Sequence, residues 1–242
     1  CLYIYFQEDT VKDLIVIKNK LYPMIRELEW DSGFFEKKIG RVDVSKDFNI
    51  IAFQKEAKSF DLVYVFSEKP INNMAELVDV KVTYAKNVQH YGLDQNIEDY
   101  NKNKHNYNQL LELAYLSGHE SRFKKDSFFC QQAFKGLYKK WLDKNINEPE
   151  QRVLVFVENQ NLAGFVSYES TSSEALIHLI AVDSGYQGRG IGRKLMQAVE
   201  NKLTLPATLS VPTQKTNEIA VRFYENYGFR LKQTVYIYHY KK

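Results

Sequence analysis

A chain of 242 residues with 44% hydrophobic side chains holds enough apolar material for one large domain or two modest ones, which excludes a disordered tail or a fibre. Its 33 basic and 30 acidic residues leave a net charge of +3, so no global field draws it to nucleic acid or a membrane surface, although a local site for a small anion stays open. Cys1 and Cys130 are its two cysteines, too few for a disulfide framework and without metal-ligand spacing, so a reducing, cytoplasmic setting and no metal site are expected.

In chain order, residues 2–6 read as a strand, because this apolar run meets Glu8 and Asp9 too soon for a signal-peptide core. Nowhere do the roughly 18 uncharged residues of a membrane helix run together. Residues 29–35 read as a turn-rich segment, with Trp30, Phe34 and Phe35 feeding an N-terminal core, and an amphipathic stretch follows at 46–58. Runs rich in Val and Tyr at 61–66 and 77–84 read as strands, bounded by Pro70, Asn72 and Asn73. The Asn-rich, polar segment 90–108 reads as a linker. A domain boundary is therefore placed near residue 87, with a smaller N-terminal α/β domain at 1–87 and a larger domain at 88–242.

Helical periodicity returns at 108–117 and at 128–142, where Phe129, Ala133, Phe134, Leu137 and Trp141 share a face. Three strands in meander order are expected at 152–157, 162–169 and 175–182, with 158–161 as a hairpin turn. Beyond them the pattern predicts a helix at 189–203, a strand at 207–211, a helix at 217–227 and a last strand at 229–240. The class is α/β in the α+β sense, a mixed, mostly antiparallel sheet flanked by helices.

Between the third strand of the meander and the next helix lies Gln187-Gly188-Arg189-Gly190-Ile191-Gly192. A glycine-rich turn that opens a helix is an anion site, because backbone N–H groups there lack intrahelical acceptors and the helix dipole adds positive potential. The three alternate glycines are expected to leave room for a diphosphate, with Arg189, Arg193 and Lys194 adding charge around it. The turn lacks the Lys-Ser/Thr ending of a P-loop, and it follows a third antiparallel strand, which argues against nucleoside triphosphate and dinucleotide folds.

Leu179-Ile180-Ala181-Val182, followed by residues 187–196, resembles the acetyl-CoA signature of the GCN5-related N-acetyltransferase (GNAT) superfamily. A second block, from Asn217 through Ala220 and Tyr224 to Gly228-Phe229, is similar to the superfamily's Asn-x-x-Ala-x-x-x-Tyr-x-x-x-Gly-Phe. The resemblance implies a GNAT fold and acetyl-CoA as cosubstrate. Gln187, Gly188, Arg189, Gly190, Ile191, Gly192 and Arg193 would hold the CoA pyrophosphate, and the backbone of Ile180, Ala181 and Val182 its pantetheine arm. It implies that Tyr224 supplies the proton to the departing thiolate, against the alternative of a core aromatic. For Asn217, a contact to the cofactor and a helix N-cap are compatible. Where superfamily members often carry a carboxylate base this chain has Leu176, so His178, two residues on, becomes the candidate base, an imidazole having a reference pKa of about 6.5. Its alternative is a packed ring, and Glu169 and Glu174 are further candidates expected to be solvated.

Residues 28–35, Ser121-Arg122-Phe123, Phe134 with Leu137-Tyr138 and Trp141, and Thr213-Gln214 ahead of Asn217 are similar, in order over residues 28–240 but as scattered short blocks, to sugar-nucleotide acetyltransferases of the TDP-fucosamine type. This narrower resemblance implies an amine acceptor on a dTDP-4-amino-4,6-dideoxyhexose. Arg122 would meet its diphosphate and Phe123 and Tyr138 its base or sugar, the alternatives being a surface ion pair and ordinary helix packing. Trp141 reads as packing. An acetyltransferase for another amine and a non-catalytic CoA-binding regulator are the competing functions, and a homodimer stays open.

Overall fold

The computed structural model describes residues 25–46, 48–92 and 94–242, so the strand expected at 2–6 lies outside the described residues. Within them the chain divides into two compact units, one of residues 82–233 and one of 25–81 with 234–242.

The smaller unit begins with β1 (Arg26–Glu27), α1 (Glu29–Phe35), β2 (Ile39–Asp43), α2 (Ile50–Ala57) and β3 (Leu62–Ser67). Residues 29–35 are a helix, not the turn-rich segment the sequence suggests. Gly33 costs such a short helix about 1 kcal/mol, but Trp30 and Phe34, one turn apart, stack at 5.0 Å and support it. These rings are half-buried instead of forming core. Helix α2 starts later than the expected stretch because Asn49 caps it, its side chain accepting from the N–H groups of Ile51 and Ala52. Strand β2 runs parallel to β3, and the end of β10 (Arg230–Lys241) runs antiparallel to β3 on its other side. Val42, Phe53, Val63, Val65 and Tyr238 form this unit's core.

The larger unit receives the end of β4 (Glu76–Asn87) and continues with β5 (Ile97–Asp99), α3 (Tyr107–Ser117), α4 (Arg122–Lys125) and α5 (Gln131–Asn147). The meander follows as β6 (Gln151–Glu158), β7 (Asn161–Ser170) and β8 (Glu174–Val182), then α6 (Ile191–Asn201), β9 (Thr208–Gln214) and α7 (Glu218–Tyr227). Its strand order is β4-β9-β8-β7-β6-β5, antiparallel from β5 to β8 and parallel between β8 and β9, which gives the mixed, mostly antiparallel sheet of an α+β fold. The Asn-rich stretch read as a linker contains β5, which pairs with β6 through Ile97↔Phe156. Its Asn106 caps α3, accepting from the Asn108 N–H at 2.9 Å. Asn159 and Gln160, both at positive φ, make the tight turn between β6 and β7.

Helices α6 and α7 cover one sheet face, where Ile191, Leu195, Met196, Val199, Tyr224 and Tyr227 meet Ile177, Leu209 and Val211. Helices α3 and α5 pack on β6, β7 and β8, and Asn145 of α5 bonds Ser167 of β7, which places them on the opposite face. A Cβ on Gly164 of β7 would fall 3.0 Å from the Ala181 carbonyl and 3.2 Å from Ile191 and Leu195, so this glycine lets α6 lie close on the sheet.

One charge pair is buried beneath α6. Lys86 Nζ donates to both oxygens of Glu200 at 2.9 and 2.7 Å, the Tyr227 hydroxyl donates to Oε1 at 2.7 Å, and the Gln89 N–H donates to Oε2 at 2.8 Å. Burial, then the Glu200 bond, pushes the Tyr227 phenol far above its ordinary range, so it stays a donor. Tyr227→Phe removes one charge-assisted bond and is expected to lower the unfolding free energy by about 2 kcal/mol. Urea denaturation reads this as a lower midpoint at unchanged slope. An unchanged midpoint would mean that Lys86 and the Gln89 amide satisfy Glu200 without it.

Candidate active site

Strands β8 and β9 pair from Glu174↔Thr208 to Leu176↔Ser210 and then part, although β8 runs on to Val182 and β9 to Gln214. The divergence has a local cause. Tyr168 faces Ile177 and Ser167 faces Leu179, so His178 is an extra residue in β8, and such a bulge bends a strand and ends regular pairing. The result is an opening with the backbone edges of 177–182 and 211–214 on its sides.

At its far end the chain turns through a 3-10 turn at Ser184–Tyr186 into α6. Gln187 Nε2 donates to the Val182 carbonyl at 3.1 Å and ties the loop to the strand end. Gly188 and Gly190 lie at φ of 75° and 76°, left-handed backbone that glycine adopts without strain, and a Cβ on either would meet nothing within 4 Å. The first-turn amides of α6 face this empty space without intrahelical acceptors, so the residues present fit a bulky anion such as a diphosphate.

The other members of the loop are placed differently from the sequence expectation. A Cβ on Gly192 would stand 3.4 Å from the Phe223 ring, in ordinary contact, so the Cα of Gly192 faces α7. Arg189 pairs with Glu158 at 2.7 Å and Lys194 with Asp94 at 2.9 Å, while Arg193 lies 5.1 Å from the Tyr227 ring centre and reaches the Asn226 carbonyl. The basic side chains thus have protein partners, and the loop amides and the α6 dipole add positive potential at the cradle. Ile191 is buried as the first apolar anchor of α6.

Ile180 and Val182 pack against the α6–α7 core, and Ala181 is buried. Tyr224 belongs to the same apolar cluster and is enclosed by the rings of Tyr84, Phe223 and Phe229. Burial drives its phenol far above the ordinary range, so it is a proton carrier at every physiological pH. Asn217 caps α7, its Oδ1 accepting from the Ala220 N–H at 3.2 Å.

His178 is buried on the α3–α5 side. Its Nδ1 lies 3.1 Å from Asn145 Oδ1, and its Nε2 lies 3.4 Å from Glu169 Oε2. The Asn145 NH2 donates to Ser167 Oγ at 2.8 Å, and the Leu179 N–H donates to the same oxygen at 3.1 Å. In this chain the Asn145 carbonyl faces the ring, so Nδ1 carries hydrogen and Nε2 is left to Glu169. Glu169 is therefore not simply solvated. Its hydrogen bond with His178 holds its carboxyl below the usual carboxylate range, while the side chain keeps 42% of its surface in solvent. Glu174 is exposed at the start of β8, where its N–H bonds Thr171. The Glu169–His178 contact depends on the bulged register, which no local pattern announces.

Arg122, Phe123 and Tyr138 come together, but within packed structure. Arg122 is 4% exposed, with its guanidinium 4.3 Å from the Phe123 ring, so it is a buried residue and not a surface one. Phe123 packs on Phe129 and Trp141, and Tyr138 between Phe134 and Trp141, closing over Gly118. The apolar stripe of α5 thus takes Tyr138 inward together with Trp141. Among the described residues no group of three or more His, Cys, Asp and Glu could hold a metal, and no helix is long and apolar enough to cross a membrane.

Residues 104–237, which include the glycine cradle and Tyr224, match the family described as Acetyltransferase (GNAT) domain. The chain belongs to the GNAT acetyltransferase family. GNAT members generally use acyl-CoA donors. Among curated relatives, the chain is 30% identical over 132 residues to the spore coat polysaccharide biosynthesis protein SpsD of Bacillus subtilis (strain 168), covering 54% of this chain and 46% of SpsD. It is 33% identical over 94 residues to the [Ribosomal protein bS18]-alanine N-acetyltransferase of Escherichia coli (strain K12), covering 37% of this chain and 64% of that one. The chain thus spans about half the length of SpsD. Among solved structures, a functionally unknown conserved protein from Staphylococcus epidermidis ATCC 12228 aligns over 97% of this chain and 98% of its own, at TM-score 0.64 and 15% identity. A GCN5-related N-acetyltransferase from Sphaerobacter thermophilus aligns over 84% and 73%, at TM-score 0.51 and 14% identity. At such identities the two structures speak for the GNAT fold alone.

Proposed function

We propose that this chain transfers acetyl from acetyl-CoA to the amine of a nucleotide-linked amino sugar of the dTDP-4-amino-4,6-dideoxyhexose type, by direct attack of the amine on the thioester. The observation that carries the donor assignment is the opening between β8 and β9 leading to the Gly188–Gly190 cradle. A long, narrow ligand ending in a diphosphate suits that shape, its amides meeting the free edges of Ile180, Ala181 and Val182. The sugar assignment is supported by the similarity to SpsD, whose name places it in polysaccharide biosynthesis. The similarity to an alanine N-acetyltransferase of a ribosomal protein keeps a peptide N-terminus as the second reading.

Acetyl-CoA supplies the activated acetyl group. The loop amides from Gln187 to Arg193 and the α6 dipole hold the diphosphate, with Asn217 ordering the start of α7 beside them. Tyr224, neutral and water-poor, donates its proton to the departing sulfur. The amine's own proton goes to the Glu169–His178 pair. The Glu169 carboxylate, partly exposed and 3.4 Å from His178 Nε2, stands in for the carboxylate missing at Leu176. Arg122, Phe123 and Tyr138 act here by fixing α4 and α5.

Glu169→Gln is expected to lower kcat/KM for the amine about tenfold at neutral pH. The deficit should shrink as pH rises, because fewer amines then have to be deprotonated before attack and hydroxide shares the later proton removal. Parallel profiles for the two enzymes would remove the pair from the reaction. The function itself is tested by following free thiol release from acetyl-CoA with dTDP-amino sugars, polyamines and peptides. Release with the dTDP-4-amino sugars is expected. Release confined to peptides would move the acceptor to a protein terminus, and none with any amine would end the catalytic reading.

A further inference from the structure

We propose that Gln214 is the acceptor-binding residue of this site, its side-chain carbonyl taking one N–H of the attacking amine. Leu209 and Val211 of β9 point into the cluster beneath α6 and α7, so alternation carries Ser210, Pro212 and Gln214 to the opposite face. That is the face of His178, whose partner Asn145 comes from α5. Gln214 lies beyond Ser210, the last residue of β9 paired with β8, and therefore beside the opening. Its backbone is held there by the Asn217 N–H, which donates to the Gln214 carbonyl at 3.0 Å as the chain turns into α7.

The side chain is 2% exposed, yet Oε1 has no hydrogen-bond partner among the described residues. A buried acceptor left unmade destabilises a fold, so such groups are few, and one at the mouth of a substrate opening has a reason to be there when a ligand supplies the donor. The geometry also says which ligand. Tyr224 lies on the α6–α7 side and serves the sulfur, so the amine has the other face of the thioester, where Gln214 projects. A neutral primary amine carries two hydrogens and one lone pair. With one N–H on Gln214 Oε1 and the other directed toward the Glu169–His178 pair, its lone pair is aimed at the carbonyl carbon. No bond to Gln214 forms or breaks.

This inference rests on the acetyl-transfer reading, and Gln214→Met separates the two. Methionine keeps the length and bulk of the side chain and removes the unpartnered carbonyl. Thiol release is measured against dTDP-4-amino-4,6-dideoxygalactose, or the best amine of the panel if another is preferred, with acetyl-CoA varied separately. The expected result is an amine KM about tenfold higher, an acetyl-CoA KM within twofold, and a melting temperature equal to or above that of the wild type. A purely structural glutamine would give a lower melting temperature instead. Gln214→Glu, which retains an acceptor oxygen, should keep the amine KM near the wild-type value. An unchanged amine KM in Gln214→Met, or a rise confined to acetyl-CoA, overturns the assignment, as does equal loss in both variants with lowered melting temperatures. Absence of turnover in the wild type with every amine overturns the proposed function and this inference with it, whereas intact wild-type turnover confines a failure to Gln214.

Discussion

Gly190→Glu is expected to abolish acetyl-CoA binding, raising Kd by more than about a thousandfold in isothermal titration. Gly190 sits at φ 76°, where a side chain costs about 1–2 kcal/mol of backbone strain, a cost to the fold and not to binding. The space above it is open, so the carboxylate would occupy the position proposed for the diphosphate, and each like-charge contact at about 4 Å costs about 4 kcal/mol at an effective dielectric of 20. Gly190→Ala carries only the strain, which the free and bound states share, so it should lower stability by about 1–2 kcal/mol and leave binding within about threefold. A Glu variant that is folded and binds acetyl-CoA within threefold of the wild type would place the donor elsewhere.

Tyr224→Phe is the complementary case, in which binding survives and chemistry does not. The ring remains packed among Tyr84, Phe223 and Phe229, so the fold and the acetyl-CoA Kd should change little. Loss of the hydroxyl removes the proton offered to the sulfur, and kcat should fall about 100-fold or more. The same burial predicts the pH response. A phenol held far above its ordinary range stays protonated, so Tyr224 imposes no alkaline decline on wild-type kcat up to about pH 10. Undiminished kcat in the Phe variant would return Tyr224 to the aromatic core.

The parts of the fold legible in the sequence were those set by short-range patterns. The meander, α6 with its apolar Ile191, Leu195 and Val199, and the left-handed Gly188 and Gly190 are local features of periodicity and backbone freedom. The parts that were not legible depend on distant partners. Helix α1 carries a central glycine and survives by a ring stack, and β5 is a three-residue strand visible only once β6 offers it an edge. The same distinction runs through the site. A cluster of basic residues reads as a phosphate grip until Glu158 and Asp94 are seen to take Arg189 and Lys194. Nothing local to Arg122 announces that it is buried, and Glu169 meets His178 only because a bulge shifts the register of β8. Gln214 stands in one of the short blocks of the narrower resemblance, but its role there has no local signature, and the hydrogen bond its Oε1 lacks among the described residues is a property of three-dimensional packing.

Hydrogen–deuterium exchange with and without saturating acetyl-CoA tests most directly whether one continuous donor site runs from the β8–β9 opening to the start of α6. The amides of residues 178–193 should gain protection together, with the first turn of α6 gaining most and the exposed end of α2 unchanged. Saturation with acetyl-CoA that leaves residues 187–193 unprotected, or that protects a different surface instead, would contradict the site described above.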